Sequence, residues 1–332
     1  PYLLISDPKI VQVLINRTYE YPKYFLNITT LQDLVDSHKR QRKMMHPSFS
    51  FANVKEMFPT FVQAGHNLKD IWMKQIDNKK RFNYEFNSTK TTTELAQAYQ
   101  TAIMCNPSQL YETFEGFFPF IKKLPTPNFK RNNDVFKVIQ NASAKLNLPV
   151  DEQLTYNELL SQVMTFLLAG HETTSTALSW GLYFLAKNSE AQDLLRKEIL
   201  DVLIDQCVFK ETLRIVPPVM NGYVVPKGTP MLYAIHHDPS IWGDDAEYFN
   251  PSRWLDPVIK SKVTNSNFLP FSAGPKNCLG MKMAHLEFKA ILSVIIRNFE
   301  FKLVDGFNFE MKLLGISKPT PGIDLLISKV DY

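Results

Sequence analysis

The amino-acid sequence predicts a mainly α fold with a smaller β portion. The longest uninterrupted helical pattern covers residues 155–187, where no proline occurs. Strand-like segments lie near both ends of the chain, so the β portion has to be assembled from residues that are far apart in sequence. Because the chain has neither internal repeats nor low-complexity tracts, we predict that residues 1–332 form a single interwoven domain.

The first 60 residues are predicted to form a short strand followed by short helices. Asp7 followed by Pro8 is typical of a helix start, because aspartate caps the first turn and proline is favoured at the first helical position. Further along, two segments have amphipathic helical spacing and one segment with three prolines is predicted to be a loop. These segments are residues 51–79, 94–104 and 117–129, respectively.

The second half of the chain is predicted to combine helices with a stretch rich in proline, glycine and aspartate. Thr155 and Glu158 form a capping box at the start of the long helix, and Pro217 with Pro218 ends a shorter helix. The remaining predicted helices cover residues 190–203, 206–216 and 280–298. The predicted strands cover residues 223–225 and 231–233, with further short strands within 299–330.

Composition and charge exclude several classes of protein. The 332 residues carry 37 Lys and Arg against 33 Asp and Glu, a net charge of +4, which is too small for a dense basic surface that binds nucleic acid. Three cysteines without a CxxC pair exclude a disulfide framework and a zinc ribbon. No apolar run reaches the length of a membrane span, and the chain opens directly in a strand, so we expect a segment upstream of it.

The most informative stretch is the loop from Pro270 to Gly280, in which a lone cysteine, Cys278, stands between two glycines and directly before an apolar helix. The positive end of the helix dipole and nearby backbone N–H groups favour the thiolate form of such a cysteine. A thiolate is the axial ligand through which haem iron receives electron density for O–O cleavage. Gly274 allows a tight turn, and Gly280 lets the backbone pass close to a flat partner.

This loop resembles the haem-binding loop of the cytochrome P-450 family, whose pattern is Phe-x-x-Gly-x-basic-x-Cys-x-Gly. Phe271, Gly274, Lys276, Cys278 and Gly280 match that pattern. A chance match in this composition is expected in about 3 of 100,000 such chains, so the motif is specific. The alternative is a buried structural cysteine, which is the usual state of an unbridged cysteine, but the flanking glycines favour the haem loop.

A second constellation joins an acidic and a basic residue on one helix. Glu211 and Arg214 lie three residues apart and share a helix face, which by itself indicates only a surface ion pair. The resemblance implies a third member, Arg253, in the segment that ends at Trp254, where the family usually has Phe. The three residues are then expected to form a buried structural network that holds the cysteine loop.

A third constellation lies in the long helix, at Ala169, Gly170, Glu172 and Thr173. An acid and a hydroxyl in the middle of an apolar helix do not serve packing, and a glycine costs about 1 kcal/mol there relative to alanine. The resemblance implies that this helix crosses the haem, that the segment widens to admit dioxygen, and that Glu172 and Thr173 are the catalytic pair that relays protons.

Two other interpretations of the same segment exist. A threonine in mid-helix often donates to the carbonyl of the preceding turn, which is a structural role. His171 followed by Glu172 also matches the start of a zinc-binding HExxH motif, but Ser175 stands where the second histidine is needed, so the zinc motif fails.

A basic segment near the N-terminus resembles the family's Trp-x-x-x-Arg element, whose two side chains bind a haem propionate. His38 stands in place of the tryptophan and Arg42 matches the arginine; at i, i+4 they share a helix face. Lys39, Arg40 and Lys43 then form either a solvated basic face or a docking face for an acidic redox partner.

The resemblance implies a haem-thiolate monooxygenase that binds haem b and inserts one oxygen atom from dioxygen into a hydrophobic substrate. It implies an NADPH-dependent flavoprotein reductase as partner. The style of the eukaryotic microsomal members implies an N-terminal anchor in the endoplasmic reticulum membrane, with the catalytic domain facing the cytosol and no nucleic acid bound. The alternatives are a haem-thiolate isomerase or lyase of peroxides and a non-enzymatic haem binder or sensor. Retention of Glu172 and Thr173 favours the monooxygenase.

Two further expectations concern the parts of the chain that determine specificity. The chain is shorter than family members usually are, and the segments 83–95, 203–207 and 218–222 look abridged, so we expect internal segments to be missing from it. Candidates for lining a substrate pocket are Phe117, Phe118, Phe166 and Ala169, although Phe residues at helical spacing are more often core.

Overall fold

The structure is a computed structural model of the chain. It describes residues 3–5, 7–16, 23–24, 42, 45–77, 83–84, 166, 168–201, 205–219, 222–225, 229–233, 235–313, 316–320 and 322–330. The chain divides into two compact units, residues 1–86 with 170–332, and residues 87–169, of which only 166, 168 and 169 are described. The single interwoven domain over residues 1–332 therefore stays a prediction.

Helices make up most of the described part, as predicted. The α-helices are α1 (Pro8–Asn16), α2 (Phe51–Glu56), α3 (Phe58–Asp77), α4 (Thr173–Lys187), α5 (Ser189–Asp201), α6 (Asp205–Ile215), α7 (Pro239–Trp242), α8 (Pro257–Lys262) and α9 (Met281–Asn298). A π-helical turn, Leu168–Glu172, leads directly into α4. Short 3₁₀ turns occur at His46–Phe49, Ile235–His237, Pro251–Leu255 and Gly274–Lys276. Among the described helices, none is long and apolar enough to cross a membrane.

The described strands form three small sheets. They are β1 (Leu3–Ile5), β2 (Lys23–Tyr24), β3 (Asn83–Tyr84), β4 (Gly222–Val225), β5 (Thr229–Tyr233), β6 (Phe299–Leu303), β7 (Glu310–Leu313), β8 (Ser317–Thr320) and β9 (Ile323–Lys329). The first sheet has the order β1-β5-β4-β2, the second β3-β9-β6, and β7 pairs with β8. Since β1 pairs in parallel with β5, with Leu3 opposite Met231, the start of the chain adds a strand to a hairpin more than 200 residues later.

The predicted elements in the described residues are confirmed, with two local differences. Asp7 accepts from Lys9 N at 2.7 Å through its carboxylate and caps α1. The helix expected over residues 51–79 is interrupted between α2 and α3, because Pro59 lacks an N–H and its ring clashes with the carbonyl of the preceding turn. The long helix contains the π turn. The helix over 94–104, the loop over 117–129 and the capping box of Thr155 and Glu158 lie outside the described residues.

The main hydrophobic core surrounds α9 and thereby fixes the helix that follows the cysteine loop. Helix α3 packs closely along α9: a Cβ added to Gly65 would lie 3.1 Å from Val294 Cβ. At the end of α9, the ring of Trp72 meets those of Phe299 and Phe301 edge to face, with centroids 5.5 and 5.8 Å apart. Helices α4 and α6 complete the packing around it. The second half of α9, from Phe288 onward, is therefore buried in the core and anchors the helix that follows the cysteine loop.

Candidate functional site

The cysteine loop closes on itself and leaves Cys278 at the surface of the described structure. Cys278 N donates to the Phe271 carbonyl at 2.8 Å, which joins the two ends of the loop. Ser272 and Gly274 have φ values of 58° and 72°, so both residues adopt a left-handed backbone conformation. Cys278 is exposed and lies just before α9, which begins at Met281. The loop thus presents a single sulfur at the N-terminal end of a buried helix.

The two motif glycines serve different purposes. Gly274 has no room for a side chain, because an added Cβ would lie 2.9 Å from both Cγ2 and the carbonyl oxygen of Ile15. Gly280 is less crowded: among the described atoms, an added Cβ would meet Cys278 Sγ and Phe49 Cε1, both at 4.0 Å. Gly274 therefore fixes the loop against α1, while Gly280 leaves space beside the sulfur.

Phe271 anchors the start of the loop in an aromatic cluster. Its ring stacks on His285 of α9, with centroids 5.5 Å apart and an interplanar angle of 29°. His285 in turn meets Phe209 of α6 edge to face at 4.5 Å. Burial lowers the pKa of His285 to about 4, and the positive charges of Lys289 and Lys210 act in the same direction. The imidazole is therefore neutral near pH 7, and the cluster ties the loop to α6 and α9.

These features fit a haem held by Cys278. An exposed thiol at a helix N-terminus is readily deprotonated, and a thiolate is a haem ligand. A side chain at Gly280 would lie beside the sulfur, so the glycine keeps the approach to Cys278 unobstructed by its own residue. Lys276 closes the 3₁₀ turn ahead of Cys278 and places a positive charge in the loop. When bound, the haem supplies the iron at which dioxygen is held and reduced.

Arg42 contacts the cysteine loop directly. Its Nη1 donates to the Asn277 carbonyl oxygen at 2.6 Å and its Nη2 to Asn277 Oδ1 at 2.5 Å. The predicted contact of Arg42 with a haem propionate stays a prediction; in the structure its guanidinium binds the residue that precedes Cys278. A planar fork of donors matches two neighbouring oxygens, which accounts for this placement. His38, the expected partner of Arg42, and the basic residues Lys39, Arg40 and Lys43 lie outside the described residues.

Glu211, Arg214 and Arg253 come together in a buried network, and a fourth side chain completes it. Glu211 and Arg214, on α6, are 0% exposed, and their atoms pair at 2.8 and 3.0 Å. Arg253 Nε donates to Glu211 Oε1 at 3.2 Å, and the indole Nε1 of Trp254 donates to Glu211 Oε2 at 2.9 Å. The tryptophan that replaces the usual phenylalanine thus supplies an additional donor to the buried carboxylate.

Arg253 has a second acidic partner, Asp245, which the sequence does not reveal. Its Nη1 donates to Asp245 Oδ1 at 2.6 Å and also to the Trp242 carbonyl oxygen. Partial burial would raise the pKa of Asp245, but hydrogen bonds from Arg253 and Asn250 outweigh it, and the pKa lies below its usual value. Asp245 therefore stays charged and pairs with Arg253, which also donates to Glu211.

The network is connected to the cysteine loop through His236. Arg214 Nη1 donates to the His236 carbonyl oxygen at 2.8 Å, and the imidazole Nε2 of His236 accepts from the backbone N–H of Leu269 at 2.9 Å. Burial, together with the smaller effects of the nearby His237 and Arg214, lowers the pKa of His236 to about 3. Sequence reasoning missed His236; the only signal was a pair of adjacent histidines before Asp238.

The π turn places the predicted oxygen-relay residues in different surroundings. Ala169 is exposed, and no described atom lies within 4 Å of a Cβ added to Gly170. Glu172 is only 5% exposed, and Thr173 is half-buried. The extra residue of a π turn widens the helix locally, as the family resemblance implies for this segment. The turn thus holds a buried acid two residues after a glycine that no described atom approaches.

Neighbouring side chains connect this turn to solvent and to α9. His171 is exposed, and its Nδ1 lies 3.4 Å from Glu172 Oε1. Burial raises the pKa of Glu287 on α9 above its usual value, although a hydrogen bond with Thr174 and the charge of His171 act in the opposite direction. The hydrogen bond between Thr174 and Glu287 therefore joins α4 to α9, the helix that begins after Cys278. Of the pocket candidates, Phe166 is half-buried, and Phe117 and Phe118 lie outside the described residues.

Comparison with known proteins gives one consistent family. The sequence profile described as Cytochrome P450 matches residues 108–327. Cytochrome P450 monooxygenase 128 of Postia placenta is 24% identical over an alignment that covers 91% of this chain and 78% of that protein. Cytochrome P450 monooxygenase sphH of Aspergillus fumigatus is 26% identical, with 91% and 74% covered. Cytochrome P450 CYP13A1 of Caenorhabditis elegans is 34% identical, with 63% and 44% covered.

The first of these alignments extends over 424 positions, more than the 332 residues of this chain, so the relative contains internal segments without a counterpart here.

Proposed function

This chain belongs to the cytochrome P450 family, and we propose that it inserts one oxygen atom of dioxygen into a hydrophobic organic substrate with electrons from an NADPH-dependent flavoprotein reductase. Its relatives are monooxygenases, and the chain is an oxidoreductase of that kind with a haem cofactor. We propose that the haem is haem b and that Cys278 is its axial ligand. The observation that carries the proposal is the loop that closes from Cys278 N to the Phe271 carbonyl at 2.8 Å and leaves the cysteine exposed before α9.

The proposal assigns a separate role to each part of the site. Cys278 binds as a thiolate, and Phe271, Gly274, Lys276 and Gly280 shape the loop that carries it. The network of Glu211, Arg214 and Arg253 takes no part in the chemistry and holds that loop through His236, which binds both Arg214 and Leu269. Arg42 steadies the residue before the cysteine.

Thr173 and Glu172 are proposed to move protons to the reacting oxygen. The reaction consumes dioxygen, one NADPH, which supplies two electrons and one proton, and one further proton; one oxygen atom enters the substrate and the other leaves as water. Glu172 is buried, so a proton reaches it only through neighbouring groups, and the exposed His171 lies 3.4 Å from it. The Thr173 hydroxyl, next in sequence, can orient a water toward the π turn at Gly170.

The test is the coupling of electron use to product. Thr173→Val keeps the shape of the side chain and removes the hydroxyl, so haem content and substrate affinity should stay near wild type. Product formed per NADPH consumed should fall, with the missing electrons recovered as hydrogen peroxide. Thr176→Val removes another hydroxyl one turn later and serves as the control, for which coupling should be unchanged.

The same measurements distinguish the other reaction classes. A haem-thiolate isomerase or lyase rearranges a peroxide without outside electrons, so it would show no uncoupling in Thr173→Val. A haem sensor would form no NADPH-dependent product in either protein. Wild-type coupling in a Thr173→Val protein that turns over at the wild-type rate would contradict the relay role of the hydroxyl.

We further propose that the protein acts at the endoplasmic reticulum membrane, facing the cytosol, through an anchor upstream of Pro1. The support is the resemblance to eukaryotic microsomal members and the match to fungal and nematode relatives. Fractionation of cells that express the full-length protein tests it: co-sedimentation with microsomes is expected, and recovery in another membrane fraction would contradict it.

A further inference from the structure

We propose that His236 is a positioning residue for the haem-thiolate bond: by accepting the backbone N–H of Leu269, it fixes the start of the cysteine loop in the geometry in which Cys278 binds iron. The inference rests on the proposed role of Cys278. It adds a residue that neither the motif of the loop nor the network of Glu211, Arg214 and Arg253 includes.

His236 is in contact with both parts of the site at once. It lies in the 3₁₀ turn Ile235–His237 and is 7% exposed. Its carbonyl oxygen accepts from Arg214 Nη1 at 2.8 Å, and its ring nitrogen Nε2 accepts from Leu269 N at 2.9 Å. The backbone of His236 therefore belongs to the buried network, while its side chain belongs to the loop.

Leu269 is the point at which the loop is fixed. It is 1% exposed, and it precedes Pro270, which has no N–H to donate. The carbonyl of Leu269 accepts a hydrogen bond from Ser272 N at 2.9 Å, and this bond closes the first turn of the loop. The carbonyl of Leu269 is therefore part of the loop. The N–H of Leu269 is the last backbone donor before the turn that leads to Phe271, and His236 is its acceptor.

The ring has to be neutral to fulfil this role. Nε2 accepts a hydrogen bond only when it carries no proton, so the proton of the neutral ring is on Nδ1. The charged or titratable groups that face His236 are Arg214 and His237, and both disfavour an additional positive charge. The Phe268 ring lies 6.0 Å from the imidazole and helps to exclude water. The surroundings of the ring thus keep the acceptor available at neutral pH.

Loss of this acceptor should affect the metal site more than the rest of the fold. Without it, the buried Leu269 N–H loses its hydrogen bond to Nε2, which favours a shift of the loop away from its native position. Residues that orient a metal ligand typically change metal affinity by about 10- to 100-fold when they are replaced. The bond from Cys278 to iron is then weaker, although α9 and the core remain in place.

The experiment compares three variants of the haem-loaded protein. His236→Phe keeps an aromatic ring and removes the acceptor. His236→Gln places an amide oxygen where Nε2 lies and should restore the hydrogen bond from Leu269 N, and with it the stability of the thiolate band. His237→Phe is the control, because that ring is half-exposed and contacts the Ile215 carbonyl instead of the loop. The readout is the carbon monoxide spectrum of the reduced protein, as the ratio of the red-shifted thiolate band to the band of haem that has lost its thiolate, followed over time.

His236→Phe should lose the thiolate band about tenfold faster than wild type, and His236→Gln should stay within about twofold of it. A purely structural role would lower the melting temperature of both variants without changing the band ratio, and a wild-type rate of loss in His236→Phe would overturn the inference. If His236→Phe does not fold, hydrogen exchange of the Leu269 amide in the wild-type holoprotein decides: a protected amide supports the bond, and exchange at the rate of an open loop contradicts it. Absence of the thiolate band in wild type would instead refute the proposed function.

Discussion

Arg214 donates from Nε and Nη2 to the two carboxylate oxygens of Glu211, at 3.0 and 2.8 Å, and neither side chain is exposed. A buried carboxylate of this kind is tolerated because every oxygen is bonded: Oε1 also accepts from Asn250 N and Arg253 Nε, and Oε2 from Trp254 Nε1. Glu211 thus binds residues that lie 39 and 42 positions further along the chain and holds them against α6.

Removing one partner of this pair should strongly destabilise the protein. Glu211→Ala or Arg214→Ala leaves a buried charge without its counterion, which costs about 3–5 kcal/mol in the free energy of unfolding. The matched control is Asp193→Ala: Asp193 pairs with Arg196 at the same i, i+3 spacing and 2.6 Å, but is 73% exposed, so its loss should cost less than about 1 kcal/mol. Urea unfolding measures the free energy of unfolding of both kinds of variant. Equal losses would show that burial does not determine how much the ion pair contributes to stability.

The indole N–H of Trp254 should contribute more to the free energy of unfolding than the indole N–H of another buried tryptophan, Trp180. Trp254→Phe removes a hydrogen bond to a charged group, for which about 1.5–3 kcal/mol is expected. Trp180→Phe is the control, because Trp180 Nε1 donates at 2.7 Å to the neutral carbonyl of Ser317, a bond worth about 0.5–1.5 kcal/mol. Thermal unfolding of both variants, together with haem content, gives the comparison. A larger loss for Trp180→Phe would argue against the stabilising role of Trp254.

Gly274 should tolerate alanine less well than a glycine of the same backbone conformation. Gly274 and Gly306 have φ values of 72° and 73°, so alanine costs about 1–2 kcal/mol at either position from the left-handed conformation alone. At Gly274 the added Cβ also meets Ile15 at 2.9 Å, whereas no described atom lies within 4 Å at Gly306. Overpacking adds about 1–3 kcal/mol, so Gly274→Ala should be the less stable variant. Similar melting temperatures would exclude the clash with Ile15.

Stability should depend on pH through His236. Its pKa falls from 6.5 in the unfolded chain to about 3 in the folded one, through burial and through His237 and Arg214. The unfolded state therefore binds more protons between these values, so the stabilisation is fully present above about 6.5 and is lost progressively as the pH falls toward 3. His285, whose pKa is lowered to about 4, also makes the folded state less stable as the pH falls from about 6.5 toward 4.

His236→Gln removes the contribution of His236 and leaves that of His285. The free energy of unfolding, measured in urea between pH 7 and pH 4, should fall less steeply for His236→Gln than for wild type. Identical slopes would mean that His236 is not buried as a neutral ring.

The elements of this fold are largely predictable from local patterns. Periodic apolar residues predict α9, and the Pro217-Pro218 pair correctly predicts the end of α6 at Ile215. Asp7 and Pro8 start α1 as expected. The parallel pairing of β1 with β5 depends on contacts between distant residues, and no local pattern specifies its partner.

The site is predictable only where a motif names its residues. Glu211, Arg214 and Arg253 were identified by resemblance, and the structure brings them within hydrogen-bonding distance. Asp245 and His236 were missed because their roles arise from distant partners and, for His236, from a backbone N–H, which leaves no side-chain signal in the sequence. Spacing on an ideal helix likewise did not anticipate that the buried Glu172 would lie in a π turn.

The carbon monoxide difference spectrum of the reduced haem protein tests the central claim, that Cys278 supplies the thiolate. Wild type and Cys207→Ser should both give the red-shifted band of a thiolate-ligated haem, because Cys207 is buried in a separate cluster with Trp242 and Trp254. Cys278→Ser should lose that band, since its hydroxyl does not replace a thiolate. A red-shifted band in Cys278→Ser that matches wild type in position and intensity would contradict the account.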